Sequence, residues 1–125
     1  MEQQEDSFVQ KSIIDTLKSS KVLFLNLKEE PFEVMVTGEK DEEYRDIKPW
    51  SDQRLLNKDR SFRQYDYVKF VQAYKADNPF FYCKFKGTKI VSNVHKKYSN
   101  GFEVHFDDER YAIMLGEIIL TGNLK

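Results

Sequence analysis

A chain of 125 residues, 40% hydrophobic and 33% charged, suits one domain around one core, and its 10 Phe and 7 Tyr exclude a disordered polymer. No apolar run approaches the ~20 residues that span a bilayer. The acidic opening MEQQEDSFVQ is not a secretory signal, and the single cysteine, Cys83, excludes an internal disulfide and a cysteine-based zinc cage, so a cytoplasmic protein without cofactor or metal is expected. The net charge of −1 conceals an asymmetry, because residues 40–100 hold 14 Lys and Arg against 8 Asp and Glu while both flanks are acidic. A locally positive face and an anionic partner fit this pattern; strong sequence-blind duplex binding does not.

Residues 7–19, SFVQKSIIDTLKS, read as a helix with Val9, Ile13, Ile14 and Leu17 on one stripe and Ser7 as its cap. KVLFLNL (21–27) reads as a buried strand: Leu23, Leu25 and Leu27 alternate, and Val22 and Phe24 make the other face apolar too. Pro31 opens a short helix with Glu29 and Glu30 near its positive end and Phe32, Met35 and Val36 on its apolar face. Gly38 ends that helix. A strand begins at Glu43, Tyr44 and Arg45, and a helical turn or two is expected from Trp50 to Asn57. YDYVKFVQAY (65–74) is a strand with either Val68 and Phe70 or Tyr67 and Val71 inward. ADNPF turns the chain. FFYCKFKGTKIV (80–91) is a long strand with Phe81, Cys83 and Phe85 on one face, Tyr82, Lys84 and Lys86 on the other, and Gly87 as a bend. SNG (99–101) is a hairpin-like turn before the strand FEVHF, and YAIMLGEIIL (111–120) closes the chain as one or two strands bent at Gly116. The pattern predicts an α+β domain, a small open β-barrel with flanking helices.

TGEKDEEYRDIKPW (37–50) concentrates the polar chemistry. Lys40 falls on the turn after Gly38, and Glu43 and Arg45 point to one side of a strand, about 7 Å apart. A cation, a carboxylate and a planar donor fork meeting at a barrel mouth suit a phosphate and the polar edge of a base. Tyr44, Trp50, Tyr67 and Tyr74 are near enough in sequence to stack on that base. The plain alternative is a solvated ion-pair set beside a helix stop. Other candidates are weaker. His95 and His105, with Asp107 and Asp108 nearby, match no strong metal pattern, and His105 is expected to face solvent. Cys83 reads as a small core residue rather than a nucleophile. Lys84, Lys86, Lys89, Lys96 and Lys97 run from a strand into a loop, as a solubilising edge or a nucleic-acid track in equal measure.

Gly38, Lys40, Glu43 and Arg45 also fit G-x-K-x-x-E-x-R, and with LFLNLKEEPFEVMVTGEK before them and EYRDIKPWSDQRL after them the chain resembles the ASCH domain of the PUA-like superfamily, in its small phage-type form. The resemblance covers residues 21–125 and leaves 1–20 as an N-terminal helical extension, a possible contact for a host protein. It implies a PUA-like barrel whose motif lines a cleft against the helix before Gly38. It implies binding of single-stranded RNA or a modified nucleotide, with Lys40 and Arg45 as anion clamps, Glu43 as an acceptor or as the holder of Arg45, and Tyr44 or Trp50 as the stacking ring. On that reading Lys40→Ala and Arg45→Ala weaken binding and leave the fold intact. The alternative is a hydrolase of the family, an N4-acetylcytidine amidohydrolase or a ribonuclease, with Lys40 and Glu43 catalytic. The amidohydrolase branch carries threonine where this chain has Glu43, and a further glutamate that Glu103 would have to supply. The acids beside Lys40 favour a charged lysine, and so binding over catalysis.

Overall fold

The computed structural model describes residues 11–73 and 75–124. A helix, α1, covers residues 11–18. It is followed by β1 (Val22–Leu27), α2 (Glu29–Val36), β2 (Glu42–Asp46), α3 (Pro49–Leu55), β3 (Tyr67–Gln72), β4 (Phe80–Val91), β5 (Val94–Lys97), β6 (Glu103–Phe106) and β7 (Arg110–Gly122). Ser7 and Val9, the expected cap and first apolar position of α1, lie outside the described residues, as does Tyr74.

Five strands form one curled sheet in the order β1-β3-β4-β7-β2, with β1 and β3 parallel and the remaining neighbours antiparallel. A parallel pair needs a long crossover. Here the crossover carries α2, β2 and α3, and β2 joins the far edge of the sheet on the way. The two free edges, β1 and β2, are therefore close in sequence and opposite in the sheet. Irregular register in β4 between Tyr82 and Gly87 bends the sheet, and the edges approach until the Arg45 side chain of β2 donates to the Asn26 carbonyl of β1 at 2.8 Å. Arg54 of α3 reaches the next free carbonyl, Phe24, at 2.6 Å. Two guanidinium groups thus occupy the open edge of β1, where another chain would otherwise pair.

The alternation read from the sequence sets the inner face. Leu23, Leu25 and Leu27 of β1, Val68 and Phe70 of β3, Phe81 and Cys83 of β4, and Tyr111, Ile113 and Leu115 of β7 are buried together, with Phe32 and Met35 of α2 and Leu55 of α3 packed on them. Of the two alternatives for β3, Val68 and Phe70 point inward. β1 is not covered on both faces as expected: Phe24 is 55% exposed, because an edge strand with an open outer face buries only its odd positions. α2 starts two residues before Pro31, so Pro31 sits inside the first turn, where no intrahelical N–H is lost. The stretch around Lys96 and Lys97, read as a loop, is strand β5, which pairs with β6 as a hairpin inserted between β4 and β7. β7 is one strand of 13 residues.

Gly38 has φ of +86° and follows the helix cap Thr37, so the left-handed conformation there is real. A Cβ would meet no atom within 4 Å. Gly38→Ala is accordingly a backbone-strain change alone. It is expected to cost about 1–2 kcal/mol in urea unfolding, and an unchanged midpoint would contradict the assignment.

Candidate functional site

Lys40, Glu43 and Arg45 meet. α2 ends at Gly38, the Lys40 N–H returns to the Val34 carbonyl at 2.9 Å, and this fixes Lys40 against the first residues of β2. On β2, Glu43 and Arg45 face one side, as their spacing predicted. Lys40 Nζ lies 3.0 Å from Glu43 Oε1, and Arg45 Nη2 lies 2.9 Å from Glu43 Oε2. Lys40 is 2% exposed and Glu43 is 8% exposed. The ammonium also donates to the Glu42 carbonyl and lies 3.8 Å from Met35 Sδ. Its three donors are therefore engaged, and no lone pair faces a substrate. Glu43 is the holder of Arg45, one of the two roles the resemblance allowed. The triad carries one net positive charge in a largely dry setting, where electrostatic effects exceed those at the surface.

Lys40 stands between two hollows. One, of about 400 Å³, lies under the Gly38 turn and is lined by Met35, Gly38, Lys40, Cys83, Leu115 and Ile118 among others. The other, of about 320 Å³, lies along the free edge of β2 and is lined by Lys40, Glu43, Tyr44, Glu103, His105 and Arg110, with Pro31, Phe102 and Val104. Arg45 lines neither; it crosses the seam to β1. Trp50 stands away from both, 50% exposed on α3, with the Arg54 guanidinium 4.3 Å from its ring centroid. Tyr67 is on the outer face of β3. Of the stacking candidates in the described residues, Tyr44 reaches the second hollow.

The hairpin of β5 and β6 covers that hollow. Its tip is tied down at Ser99, whose N–H donates to Glu39 at 2.8 Å, and at Asn100, whose amide donates to the Glu30 carbonyl at 2.9 Å. Its body is held at Glu42: Lys96 Nζ is 3.5 Å from Oε1, Lys89 Nζ is 3.1 Å from Oε2, and the Tyr44 hydroxyl donates to Oε1 at 2.8 Å. Phe106 packs edge-on against Tyr44 at 5.3 Å. Burial pushes the Glu42 carboxyl up, but Tyr44, Lys89 and Lys96 together outweigh it and hold the group below its ordinary value of 4.5. The hydroxyl and N–H of Ser99 lower Glu39 in the same way. For Tyr44 the shift is upward, from burial and then from Glu42, so the phenol stays protonated.

A carboxyl with a depressed folded pKa contributes stability above its unfolded pKa and loses it as pH falls through the folded value. Two of the hairpin's anchors, Glu39 and Glu42, are such carboxyls. Amide exchange in β5 and β6 is expected to accelerate below pH of about 4.5 before the five-stranded sheet unfolds; simultaneous loss of both would contradict it.

Cys83 is buried in the core and lines the first hollow from within, and burial pushes its thiol up to about 12. At pH 8 the folded chain is expected to resist iodoacetamide and to react only on unfolding; rapid alkylation of folded protein would contradict the burial. His95 and His105 are stacked across the hairpin, ring centroids 4.4 Å apart, with Glu103 Oε1 2.5 Å from His95 Nε2. No group of three metal-capable side chains occurs among the described residues. No helix among them is long and apolar enough to cross a membrane.

Reading the sequence missed Glu39, Glu42, Phe102 and Arg110; His105 is exposed as expected and also borders the hollow. All depend on where the hairpin folds, which no local pattern states. The burial of Lys40 bears on one expectation: Lys40→Ala is expected to cost stability as well as binding, because it leaves the buried Glu43 carboxylate with Arg45 alone as its cationic partner.

The fold and site thus define an α+β domain with a curled five-stranded sheet and, at its edge, a buried Lys40–Glu43 pair joined by the partly exposed Arg45. No family model matches the chain, and no match was found among curated proteins or solved structures.

Proposed function

We propose that the chain is a PUA-like domain of the ASCH kind that binds RNA or a modified nucleotide in the hollow beside Tyr44. The observation that carries this reading is the Lys40–Glu43–Arg45 triad. A buried ion pair such as Lys40–Glu43 is a poor device for stability, since apolar side chains of similar volume do as well or better. It suits a recognition wall, where fixed charges must not relax. Lys40 and Glu43 of the triad line a hollow of about 320 Å³, small enough to select a nucleobase or nucleotide rather than a duplex, and Arg45 holds Glu43 from the seam with β1. Arg110 adds a cation on the rim, and Glu103 and His105 border it from β6, where both side chains meet His95.

Lys40 and Arg45 act here through Glu43 and the fold rather than as free clamps. The rim residues make the direct contacts. Calorimetry with cytidine, N4-acetylcytidine, uridine monophosphate and short RNAs tests this. His105→Ala and Arg110→Ala are expected to weaken the bound ligand at least several-fold with the unfolding midpoint nearly unchanged. No heat with any ligand, or equal affinity in both variants, would remove the hollow as the site.

The hydrolase reading has one supporting observation: Glu103 lines the same hollow as Lys40 and Glu43. It requires Lys40 to release a donor. Mass analysis after incubation with N4-acetylcytidine would show cytidine if it did, and binding without turnover is the expected outcome.

A further inference from the structure

The outer face of the sheet carries a pattern that the hollow does not use. Along β4 the even positions Phe80, Tyr82, Lys84 and Lys86 point away from the core. The register sets Lys69 of β3 beside Tyr82, and Phe24 of β1 beside Lys69. Lys69 Nζ lies 4.8 Å from the centroid of Phe80 and 5.5 Å from that of Tyr82.

Two glycines of β7 shape this face. A Cβ at Gly122 would stand 2.2 Å from Phe80 Cζ, so the ring rests directly on the backbone there. A Cβ at Gly116 would stand 3.1 Å from Lys84 Cβ and 3.4 Å from Lys86 Cδ, so both lysine stems cross the strand at that point. Rings are laid on the sheet at one end and ammonium groups are carried across it at the other. Phe24 is 55% exposed, and the Lys84 side chain is 54% exposed.

We propose that this face binds single-stranded nucleic acid, with bases stacking on Phe24, Phe80 and Tyr82 and phosphates meeting Lys69, Lys84 and Lys86. Aromatic rings beside cations are what single strands bind without regard to sequence. Four outward positions on one strand span about 20 Å, enough for a few nucleotides. The charge pattern favours this occupant over a protein, because lysine is depleted in protein interfaces and here one lies over the rings. Glu117 pairs with Lys84 at 2.9 Å in the free chain, and a phosphate competes for that ammonium. α1 borders the face at a hollow shared by Ser12, Ile13, Thr16, Tyr67 and Ile118. The face shares no residue with the hollow beside Tyr44, so it stands or falls independently of that reading.

The full chain is titrated with fluorescein-labelled oligouridylate and oligothymidylate of about ten residues, across a range of salt. Binding is expected to weaken with salt, and the Lys84→Gln, Lys86→Gln double variant to reduce the slope of log K against log salt by about 1.4, or about 0.7 for each lost phosphate contact. Tyr82→Ala is expected to weaken binding roughly ten-fold with the slope retained. Gly122→Ala displaces only the far end of the Phe80 ring, so it tests the stacking seat without emptying the core, and a similar loss is expected. Lys97→Ala, which removes a cation from the hairpin and none from this face, should leave this affinity unchanged. Binding of both polymers, or of the ribopolymer alone through a 2′-hydroxyl contact, supports the proposal. Failure of both to bind, equal binding by all variants, or self-association of the chain that these substitutions abolish overturns it.

Discussion

Glu43→Ala is expected to destabilise the protein by about 3–5 kcal/mol, a fall on the order of 10–20 °C in unfolding midpoint for a domain of this size. Glu43 accepts from both Lys40 and Arg45, and its removal leaves an ammonium that is 2% exposed with only a carbonyl and a thioether for partners. Glu43→Gln retains an acceptor and should cost less. The informative comparison is the double variant Lys40→Met, Glu43→Gln, which removes the buried positive charge along with the carboxylate. It should be more stable than Glu43→Ala and depart from the sum of its single variants by about 1–3 kcal/mol. Urea unfolding of the four proteins measures that coupling; strictly additive effects would mean that the pair is not formed in solution.

Phe81→Ala is expected to cost about 3–5 kcal/mol. Phe81 is 1% exposed and joins two layers: its ring centroid is 5.3 Å from Phe32 on α2 and 5.1 Å from Phe70 on β3. It also walls the hollow under Gly38. Removal should therefore loosen α2 and carry Lys40 with it, so the change is expected to weaken ligand binding as well as stability. A urea midpoint lowered by less than the equivalent of about 1 kcal/mol would show that the core is not centred there. Lys97→Ala on the exposed hairpin, expected within about 0.5 kcal/mol, provides the comparison.

Much of the fold was legible where burial follows a strict period. The odd positions of β1, and Phe81, Cys83 and Phe85 of β4, are inward as their alternation required, and the convergence of Glu43 with Arg45 followed from a two-residue spacing on a strand. β3 could not be settled locally because both of its faces carry apolar side chains, and only the position of β1 and β4 beside it places Val68 and Phe70 inside. β5 was illegible for a different reason. His95, Lys96 and Lys97 show no apolar alternation, and the strand exists because Lys96 reaches Glu42 and the tip reaches Glu39, contacts that span more than fifty residues. The closure of the sheet by Arg45 on the Asn26 carbonyl was hidden for the same reason. Trp50 read as a stacking residue from its nearness in sequence; α3 instead turns it towards Arg54.

The most direct measurement is an NMR titration of isotopically labelled protein with nucleosides, nucleotides and short RNAs. The account predicts saturable shifts centred on Tyr44, Phe102, His105 and Arg110, with the Lys40 amide following. Shifts confined to other surfaces, or none with any member of the panel, would contradict the hollow as a nucleotide site.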